Sequence, residues 1–360
     1  MRYLGIDVHS KATVWCLLDA SGEKLEQGRV GTTADGLAEL VAQLRPGGEI
    51  LVGQEVGTMA YFVQDVLTGA GVKVLSFGAQ QLRMIAASRK KTDRRDAYWI
   101  ARALQTGMHP QPVYLPSGKV RRLRSLLSQR QAVVEDRQRW VVRARSYLRA
   151  SGQAIGLSRR SFPGALASLV ANPRGVDAYL YDGVSLCHRQ VERLSAELER
   201  LDHEVEEETR SIEAVRRLMT IPGVGVTTAA TIFAWVGDVA RFPSARKLCA
   251  YAGLTPCVRQ TGETVQLGHV TKQGPKALRR VLVQAAQIMY ARCRSEAARP
   301  LQGVVARVHT RSHRKKIAVV AGARHLLRVA YYVLRDETDY DAERLRKAAT
   351  CGEEDAQSAA

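Results

Sequence analysis

The first thirty residues, MRYLGIDVHSKATVWCLLDASGEKLEQGRV (residues 1–30), contain three runs that are typical of β-strands. The runs cover residues 2–8, 13–18 and 23–30, and they are rich in β-branched, aromatic and other apolar side chains. Only a few residues separate one run from the next, and the second connection, Asp-Ala-Ser-Gly at 19–22, is a turn sequence. This spacing predicts a meander of three antiparallel strands.

Helix-like and strand-like segments alternate after the meander. A helix is predicted over 34–44, with start signals at Thr32, Thr33 and Asp35 and a stop at Pro46. A strand at 50–53, a helix at 59–70 and a strand at 73–76 follow. Three antiparallel strands followed by α/β alternation predict an α/β domain of the ribonuclease-H-like class. The prolines at 110, 112 and 116 are expected to close this domain, which gives it residues 1–115.

The rest of the chain reads as mainly helical. A basic helical stretch runs to about residue 150, and a looser segment with glycine and proline occupies 152–183. Apolar residues then recur at steps of three and four from Val184 to Val205, which indicates a heptad seam. We therefore expect a basic helix and coiled-coil segment over 116–213, although an amphipathic helix in an intramolecular bundle fits the pattern equally well. A mainly α C-terminal domain is expected over 214–335, and a flexible tail over 336–360.

Charge indicates what the protein binds. The 360 residues include 54 Lys+Arg and 35 Asp+Glu, for a formal net charge of +19. Two basic runs, at 119–149 and 292–335, carry much of this excess, and nucleic acid is the expected partner. A solvated helix face is the alternative for either run alone. No window has the roughly 18 uninterrupted apolar residues of a membrane span, so we expect a cytoplasmic protein without a membrane partner.

Four acidic residues stand at positions where a sheet and a helix can bring them together. Asp7 and Glu55 end two predicted strands, and Asp93 and Asp96 are three residues apart on one helix face. Several carboxylates on a rigid support are what a pair of hard divalent cations requires. Each acid taken alone could instead form a turn, a surface contact, a helix cap or an arginine pair.

Two further segments suggest contacts with DNA. In IPGVGVTTAATI (221–232), Pro222, Gly223 and Gly225 form a turn between two short helices, which resembles a helix-hairpin-helix motif. A tight turn between packed helices is the alternative. Residues 251–280 contain a glycine loop whose Thr261 hydroxyl is a candidate nucleophile. Three cations in the same segment are candidate phosphate ligands: Lys272, Arg279 and Arg280.

These blocks together resemble the transposases of the IS110/IS1111 insertion-sequence family, whose relatives include the Piv invertases. The resemblance covers about residues 1–335. It rests on GIDVHSK, QEVG, KTDRRDA, IPGVGVTTAATI, RFPSARKLCAYAGLTP and GHVTKQGPKALRRVLVQAA. It implies a RuvC-like catalytic domain whose acids at 7, 55, 93 and 96 bind Mg²⁺, a coiled-coil segment and a C-terminal transposase domain. It also implies a structured non-coding guide RNA that pairs with donor and target DNA.

One position departs from the family pattern. The family typically has Ser-Gly in the loop after GL-x-P, and that serine joins covalently to DNA, whereas this chain has Thr261 before Gly262. The extra methyl of threonine restricts χ1 near the attacking oxygen. The resemblance also favours a homodimer that assembles to a tetramer, with acids from one chain and the hydroxyl from another.

Other functions fit parts of the same pattern. A RuvC-like junction-resolving nuclease would use water as the nucleophile, and a nucleic-acid-binding protein would use the acids only structurally. A sugar kinase or actin-like ATPase would share the GIDVHSK opening but would need a second glycine-rich phosphate loop, and none is found in the sequence.

Overall fold

The computed structural model describes residues 1–79, 82, 92–152, 162–173, 176–261 and 264–343, with the backbone alone over 258–261 and 264–267. The chain forms two compact units, Met1–Pro116 and Ser117–Ala360. The first is an α/β unit and the second is mostly helical.

The first unit is built on one five-stranded sheet. Its strands are β1 (Arg2–Val8), β2 (Ala12–Leu18), β3 (Lys24–Gly31), β4 (Ile50–Glu55) and β5 (Lys73–Phe77). The strand order is β3-β2-β1-β4-β5, with β1, β2 and β3 antiparallel and β1, β4 and β5 parallel. The predicted meander and the two later strands are thus confirmed, with β4 extending to Glu55.

Helices cover both faces of this sheet. They are α1 (Ala34–Leu44), α2 (Ala60–Gly69) and α3 (Asp93–Thr106). The bounds of α1 are those predicted, and the Thr33 side chain caps it by accepting a hydrogen bond from the Gly36 amide at 3.1 Å. Helices α1 and α2 pack on the face that carries Leu4 and Ile6. Helix α3 packs on the opposite face, over Val14 and Cys16 of β2.

Two paired glycines let α3 lie unusually close to the sheet. Gly5 of β1 is in register with Gly53 of β4. A Cβ atom at Gly5 would overlap the backbone carbonyl oxygen of Ala97 and the backbone nitrogen of Ala101, both in α3. A Cβ atom at Gly53 would lie 2.8 Å from side-chain carbons of α3. The close approach of this helix therefore depends on the absence of side chains at both positions.

The second unit begins with two long helices that pack side by side. These are α4 (Gly118–Ala150) and α6 (Ala178–Thr209), with the short α5 (Phe162–Ala171) beside them. Arg122 pairs with Glu208 at 2.8 Å, and Arg137 donates to the Ser195 hydroxyl at 2.7 Å. Because residue numbers rise along α4 as they fall along α6, the two helices are antiparallel.

The predicted heptad seam is buried inside this unit. Val184, Cys187 and Val191 pack with α4 and α5, and Leu201 and Val205 pack with Leu123, Leu126 and Leu127 of α4. This is the intramolecular alternative that the heptad pattern also allowed. The apolar stripe of α6 is therefore covered mainly by α4 of the same chain.

The remaining helices form the largest core. They are α7 (Glu213–Met219), α8 (Val226–Val236), α9 (Ala245–Tyr251), α10 (Lys276–Arg292), α11 (Arg299–Ser312) and α12 (Lys315–Arg335). Among the described residues, α12 is the one helix long and apolar enough to cross a membrane, and 56% of its apolar window is buried in this core. Side chains of α4 and α6 also join a cluster with Ala230 and Ala234 of α8. The helices on the two sides of residue 214 thus share apolar contacts.

Three features of the second unit differ from the sequence predictions. The looser segment at 152–183 includes α5 and the first turn of α6. The loop expected around residue 261 is a hairpin of β6 (Pro256–Thr261) and β7 (Thr264–Val270). Described residues of the expected tail pack on the core. The Tyr340 hydroxyl donates to the Ala297 carbonyl at 2.7 Å, and the Tyr340 backbone amide donates to the Thr220 hydroxyl at 2.8 Å. Local sequence signals miss such docking because its partners are distant in the chain.

His325 of α12 makes the stability of this core depend on pH. Burial, together with the positive charges of Arg328 and Arg307, lowers the pKa of His325 from 6.5 to about 4. Unfolding therefore takes up a proton between these values, and the free energy of unfolding should fall by roughly 2 to 3 kcal/mol as pH drops from 6.5 to 4. Urea unfolding of His325→Gln should show a flatter pH dependence. The exposed His203→Gln should follow the wild type, and identical slopes for wild type and His325→Gln would contradict the assignment.

Candidate functional site

The end of β1 carries the first acid and a histidine beside it. Asp7 is 17% exposed and His9 is 51% exposed. The amide of His9 donates to the Ala12 carbonyl at 3.2 Å, and its carbonyl accepts from the Thr32 hydroxyl at 2.8 Å. The turn after β1 is thereby held by the segment between β3 and α1, which fixes the backbone next to Asp7.

The start of α3 brings the next two acids to this edge. Thr92 is the extended N-cap residue, and Asp93 and Asp96 lie in the first turn. A helix N-terminus favours negative side chains, so both carboxylates are stabilised there. The Gln27 amide of β3 donates to the Arg94 carbonyl at 3.1 Å and holds this helix end against the sheet. Asp93 is 60% exposed, so its oxygens remain accessible.

Asp7, His9 and Asp93 form a compact group. His9 Nε2 lies 3.2 Å from Asp7 Oδ2 and 3.3 Å from Asp93 Oδ2. One ligand atom from each of the three residues lies within 4.8 Å of the others. His9 thus stands between two carboxylates that come from segments 86 positions apart in the sequence. Sequence reasoning missed His9, although its position two residues after Asp7 at a strand end was a signal for it.

Glu55 and Asp96 act on the same centre through their charge. The Gly5–Gly53 register on parallel strands places Asp7 and Glu55 at the same edge and on the α3 face of the sheet. Burial raises the pKa of Asp7, His9 opposes the rise, and Asp93, Asp96 and Glu55 each raise it further. Among the described residues, neither Glu55 nor Asp96 has an oxygen in the 4.8 Å group. The four predicted acids therefore share one electrostatic environment, with two of them in close proximity.

The donor set fits a divalent cation. Oxygen ligands from carboxylates are preferred by Mg²⁺, and mutual repulsion among carboxylates is relieved when a cation binds. The buried Gln54 supports the strand end that carries Glu55, because its amide donates to the Ala60 carbonyl at 3.1 Å and to the Ser76 hydroxyl at 2.9 Å. The site can thus hold negative ligands on rigid elements, as metal-assisted phosphoryl chemistry requires.

The predicted glycine turn lies between α7 and α8. Gly223 has φ +85°, and a Cβ atom there would lie 2.7 Å from the Cβ of Met289 in α10. This glycine is therefore needed for packing on the unit's own core. Gly225 is the N-cap of α8 and faces open space, and Pro222, directly before Gly223, is half-buried.

The three predicted phosphate ligands differ in their surroundings. Arg279 Nη1 donates to the carbonyls of Ala252, Gln273 and Gly274 at 3.1, 3.0 and 2.9 Å, and burial lowers its pKa. Arg280 pairs with Glu135 at 2.8 Å, whereas Lys272 is exposed. Arg279 thus holds the segment at Ala252 against the loop at residues 273–274, because one guanidinium can donate to several carbonyls.

Thr261 is the last residue of β6, and its backbone pairs with Thr264 of β7. Its side chain and Gly262 lie outside the described residues. The candidate nucleophile is therefore at the tip of a hairpin in the second unit. The sequence analysis had predicted a loop rather than paired strands at this position.

The basic run of α4 is partly used within the unit. Arg130 pairs with Asp202, Arg124 donates to the Ala234 carbonyl at 2.7 Å, and Arg139 pairs with Asp136. The first two contacts hold α4 to α6 and α8, and the third lies within α4 itself. The positive charge available for nucleic acid is consequently smaller along this helix than the sequence suggests.

Comparisons with known proteins agree with the resemblance drawn from the motifs. A transposase family model of the IS110 DEDD type matches residues 4–151, and the model "Transposase IS116/IS110/IS902 family" matches residues 215–302. The transposase for insertion sequence element IS1328 of Yersinia enterocolitica is 28% identical over 292 residues, which cover 80% of this chain and 84% of the relative.

Two other relatives broaden the comparison. The transposase for insertion sequence element IS1111A of Coxiella burnetii is 23% identical over 293 residues, with 80% of this chain and 78% of the relative covered. A pilin gene-inverting protein of Moraxella lacunata is 33% identical over 126 residues, which are 34% of this chain and 38% of that protein. The matches cover both units, and the chain therefore belongs to the IS110 family of insertion-sequence transposases.

Proposed function

We propose that this DNA transposase cuts and exchanges DNA strands by metal-dependent chemistry at the edge of its N-terminal sheet. The proposal rests on the contacts of His9 Nε2 with Asp7 and Asp93, at 3.2 and 3.3 Å. Glu55 and Asp96 are near enough to raise the pKa of Asp7 through their negative charge. The strand order β3-β2-β1-β4-β5 supports a ribonuclease-H-like, RuvC-like domain over 1–115.

In this proposal, Asp7, Glu55, Asp93 and Asp96 hold the metal, which is Mg²⁺. A divalent cation bound by these carboxylates would stabilise the negative charge that develops on a phosphodiester during cleavage. His9 supports the site by donating to carboxylate oxygens, which keeps Asp7 and Asp93 oriented. The exposed Arg94 and Arg95, next to Asp93, supply positive charge for the DNA backbone.

Thr261 is the proposed nucleophile. Its hydroxyl oxygen would bond to a DNA phosphorus while the bond from that phosphorus to a 3′ or 5′ oxygen breaks. The leaving oxygen would take up the proton that the hydroxyl loses. The turn at Pro222, Gly223 and Gly225 and the exposed Lys272 are proposed to contact the phosphates of donor or target DNA. Of these, Gly225 is best placed, because it begins α8 and faces open space. Arg279 and Arg280 contribute by shaping the surrounding loop and helix.

The proposed assembly follows from the need to cut several strands. A homodimer that pairs into a tetramer on DNA would combine the acids of one chain with Thr261 of another, and a structured guide RNA would select the sites. The seam at 184–205 is buried within the chain, so subunit pairing must use another surface. The segment 116–213 then serves as a helical support joined to the transposase domain at 214–335.

Trapping of a protein–DNA adduct tests this proposal. Wild-type protein incubated with DNA carrying the element ends should form a denaturant-resistant adduct, and Thr261→Ala should lose it. Thr261→Ser should form it faster, because the smaller side chain removes a methyl beside the attacking oxygen. Mixing Thr261→Ala with Asp7→Ala protein should restore partial strand transfer if the site is shared between chains.

The control variant in this assay is Thr68→Ala, which removes an exposed threonine of α2 in the first unit and should form the adduct like the wild type. Normal adduct formation by Thr261→Ala would place the nucleophile elsewhere. Cleavage without any adduct in the wild type would favour the alternative of a RuvC-like nuclease that uses water.

A further inference from the structure

An open groove of about 830 Å³ runs along α10 beside the first turns of α12. Polar, apolar and cationic side chains line it: Arg280, Val283, Gln284, Gln287, Ile288, Tyr290, Ala291, Arg292, Lys315 and Val319. Three of these residues are basic, and this set contains no acidic side chain. The groove thus offers positive charge together with apolar surface.

Two of the three cations are available to a ligand. Arg280 is engaged with Glu135 at 2.8 Å. Arg292 and Lys315 are exposed, and the described part of the chain provides neither with a hydrogen-bond or ion-pair partner. They stand at the end of α10 and the start of α12, so a strand lying in the groove would meet a positive charge from each helix.

A second hollow of about 380 Å³ continues the groove past the end of α10. It shares Tyr290 and Ala291 with the first hollow and adds Arg294 and Arg299. Its floor is fixed, because the Gln302 amide donates to the carbonyls of Met289 and Cys293 at 3.0 and 2.8 Å. Tyr290, which is half-buried and packs partly against the core, lines both hollows, and we call the two hollows together the track.

The composition of this track matches an unpaired nucleic-acid strand better than a duplex. Ile288 is 39% exposed in the groove, and apolar surface of this kind gains less from a duplex, whose base faces are stacked inside, than from a strand whose base faces are free. An unpaired strand presents base faces, which stack on aromatic rings, and phosphates, which bind cations. The glutamines can meet base edges without requiring one sequence.

We infer that this track, which spans both hollows, binds an unpaired DNA strand, with Tyr290 stacking on a base and Arg292, Arg294 and Lys315 contacting phosphates. The choice of DNA rests on the proposed function, because strand exchange leaves DNA transiently unpaired while the protein holds it. The groove residues belong wholly to the second unit, whereas the acids belong to the first.

Fluorescence anisotropy of full-length protein in EDTA tests the inference, with labelled dT20 and a 20-base-pair duplex as probes. The double variant Arg292→Ala/Lys315→Ala should bind dT20 about tenfold more weakly, and the salt dependence of its binding should lose about 1.4 in log–log slope, roughly 0.7 per contact. Its duplex affinity should change less than twofold. The matched variant Arg246→Ala/Lys247→Ala removes two exposed cations from α9 and should also change dT20 affinity less than twofold.

Tyr290→Ala should cost about tenfold in dT20 affinity, and Tyr290→Phe should bind like the wild type because it keeps the ring. Equal losses in the two double variants, or equal losses for dT20 and duplex, would overturn the inference. Tighter binding of U20 through the same residues would overturn the assignment to DNA. Since the assay needs no cleavage, an Asp7→Asn protein that still cleaved DNA would overturn the proposed function and leave this result standing.

Discussion

Replacing Asp7 by asparagine should lower strand cleavage by about 10³-fold or more while DNA binding is kept. Asp7 is the acid on which His9 and the other three carboxylates act, so its loss removes a central oxygen ligand of the proposed metal site. A bound metal contributes several kcal/mol to transition-state stabilisation, and about 4 kcal/mol corresponds to about 10³-fold in rate. Cleavage of labelled element-end DNA at a series of Mg²⁺ concentrations measures the effect.

The same variant should be at least as stable as the wild type in EDTA. Burial and neighbouring carboxylates raise the pKa of Asp7, which means that its ionised form is disfavoured in the folded protein. Neutral asparagine removes that repulsion, so low activity would come with an unchanged or higher melting temperature. Glu39→Gln neutralises an exposed acid of α1 and is expected to leave both measurements unchanged. Wild-type cleavage rates in Asp7→Asn, or full activity of the native protein in EDTA, would reject the metal-dependent mechanism.

Replacing Gly5 by alanine should destabilise the first unit by about 3 kcal/mol and abolish cleavage. The new methyl would overlap backbone atoms of Ala97 and Ala101, and backbone cannot move aside by changing a rotamer. Helix α3 must therefore shift away from β1, and Asp93 at its start must leave the contact with His9. Urea unfolding followed by circular dichroism, together with the cleavage assay, measures both consequences.

Two other glycines provide graded controls. A methyl at Gly53 would meet side-chain carbons of Ile100 and Leu104 at 2.8 Å, which can adjust, so a smaller loss of stability is expected. A methyl at Gly69, in the last turn of α2, would have no other atom within 4 Å, so Gly69→Ala should be neutral or slightly stabilising. Equal unfolding midpoints for Gly5→Ala and Gly69→Ala would show that the close approach of α3 is not required.

Local patterns were sufficient for much of the first unit. The alternation in residues 1–30 and the Thr33 cap predicted β1, β2, β3 and α1 because strand pairing over short turns and helix capping depend on neighbours in sequence. The placement of Asp7 and Glu55 at one edge of the sheet was also predictable, since the ends of neighbouring parallel strands share an edge. The family motifs indicated the identity that the comparisons confirm.

Contacts between distant segments were beyond such patterns. The seam at 184–205 did not reveal whether its partner was another chain or α4, because an apolar stripe fits either. The sequence likewise did not show which basic residues contact protein rather than ligand. In the structure, Arg279 donates to three carbonyl groups and Arg280 pairs with Glu135. Charge alone does not tell whether a guanidinium faces solvent or protein.

Local patterns and motifs were therefore enough to predict the element order of the first unit, the strongly positive charge and the family. Three-dimensional packing was needed to show that His9 lies between Asp7 and Asp93, that Gly5 and Gly53 set the distance of α3 from the sheet, and that Tyr290 lines both hollows. Periodicity and helix capping depend on residues only a few positions apart in the sequence. The position of a side chain in a site depends instead on close packing between segments that the sequence keeps far apart.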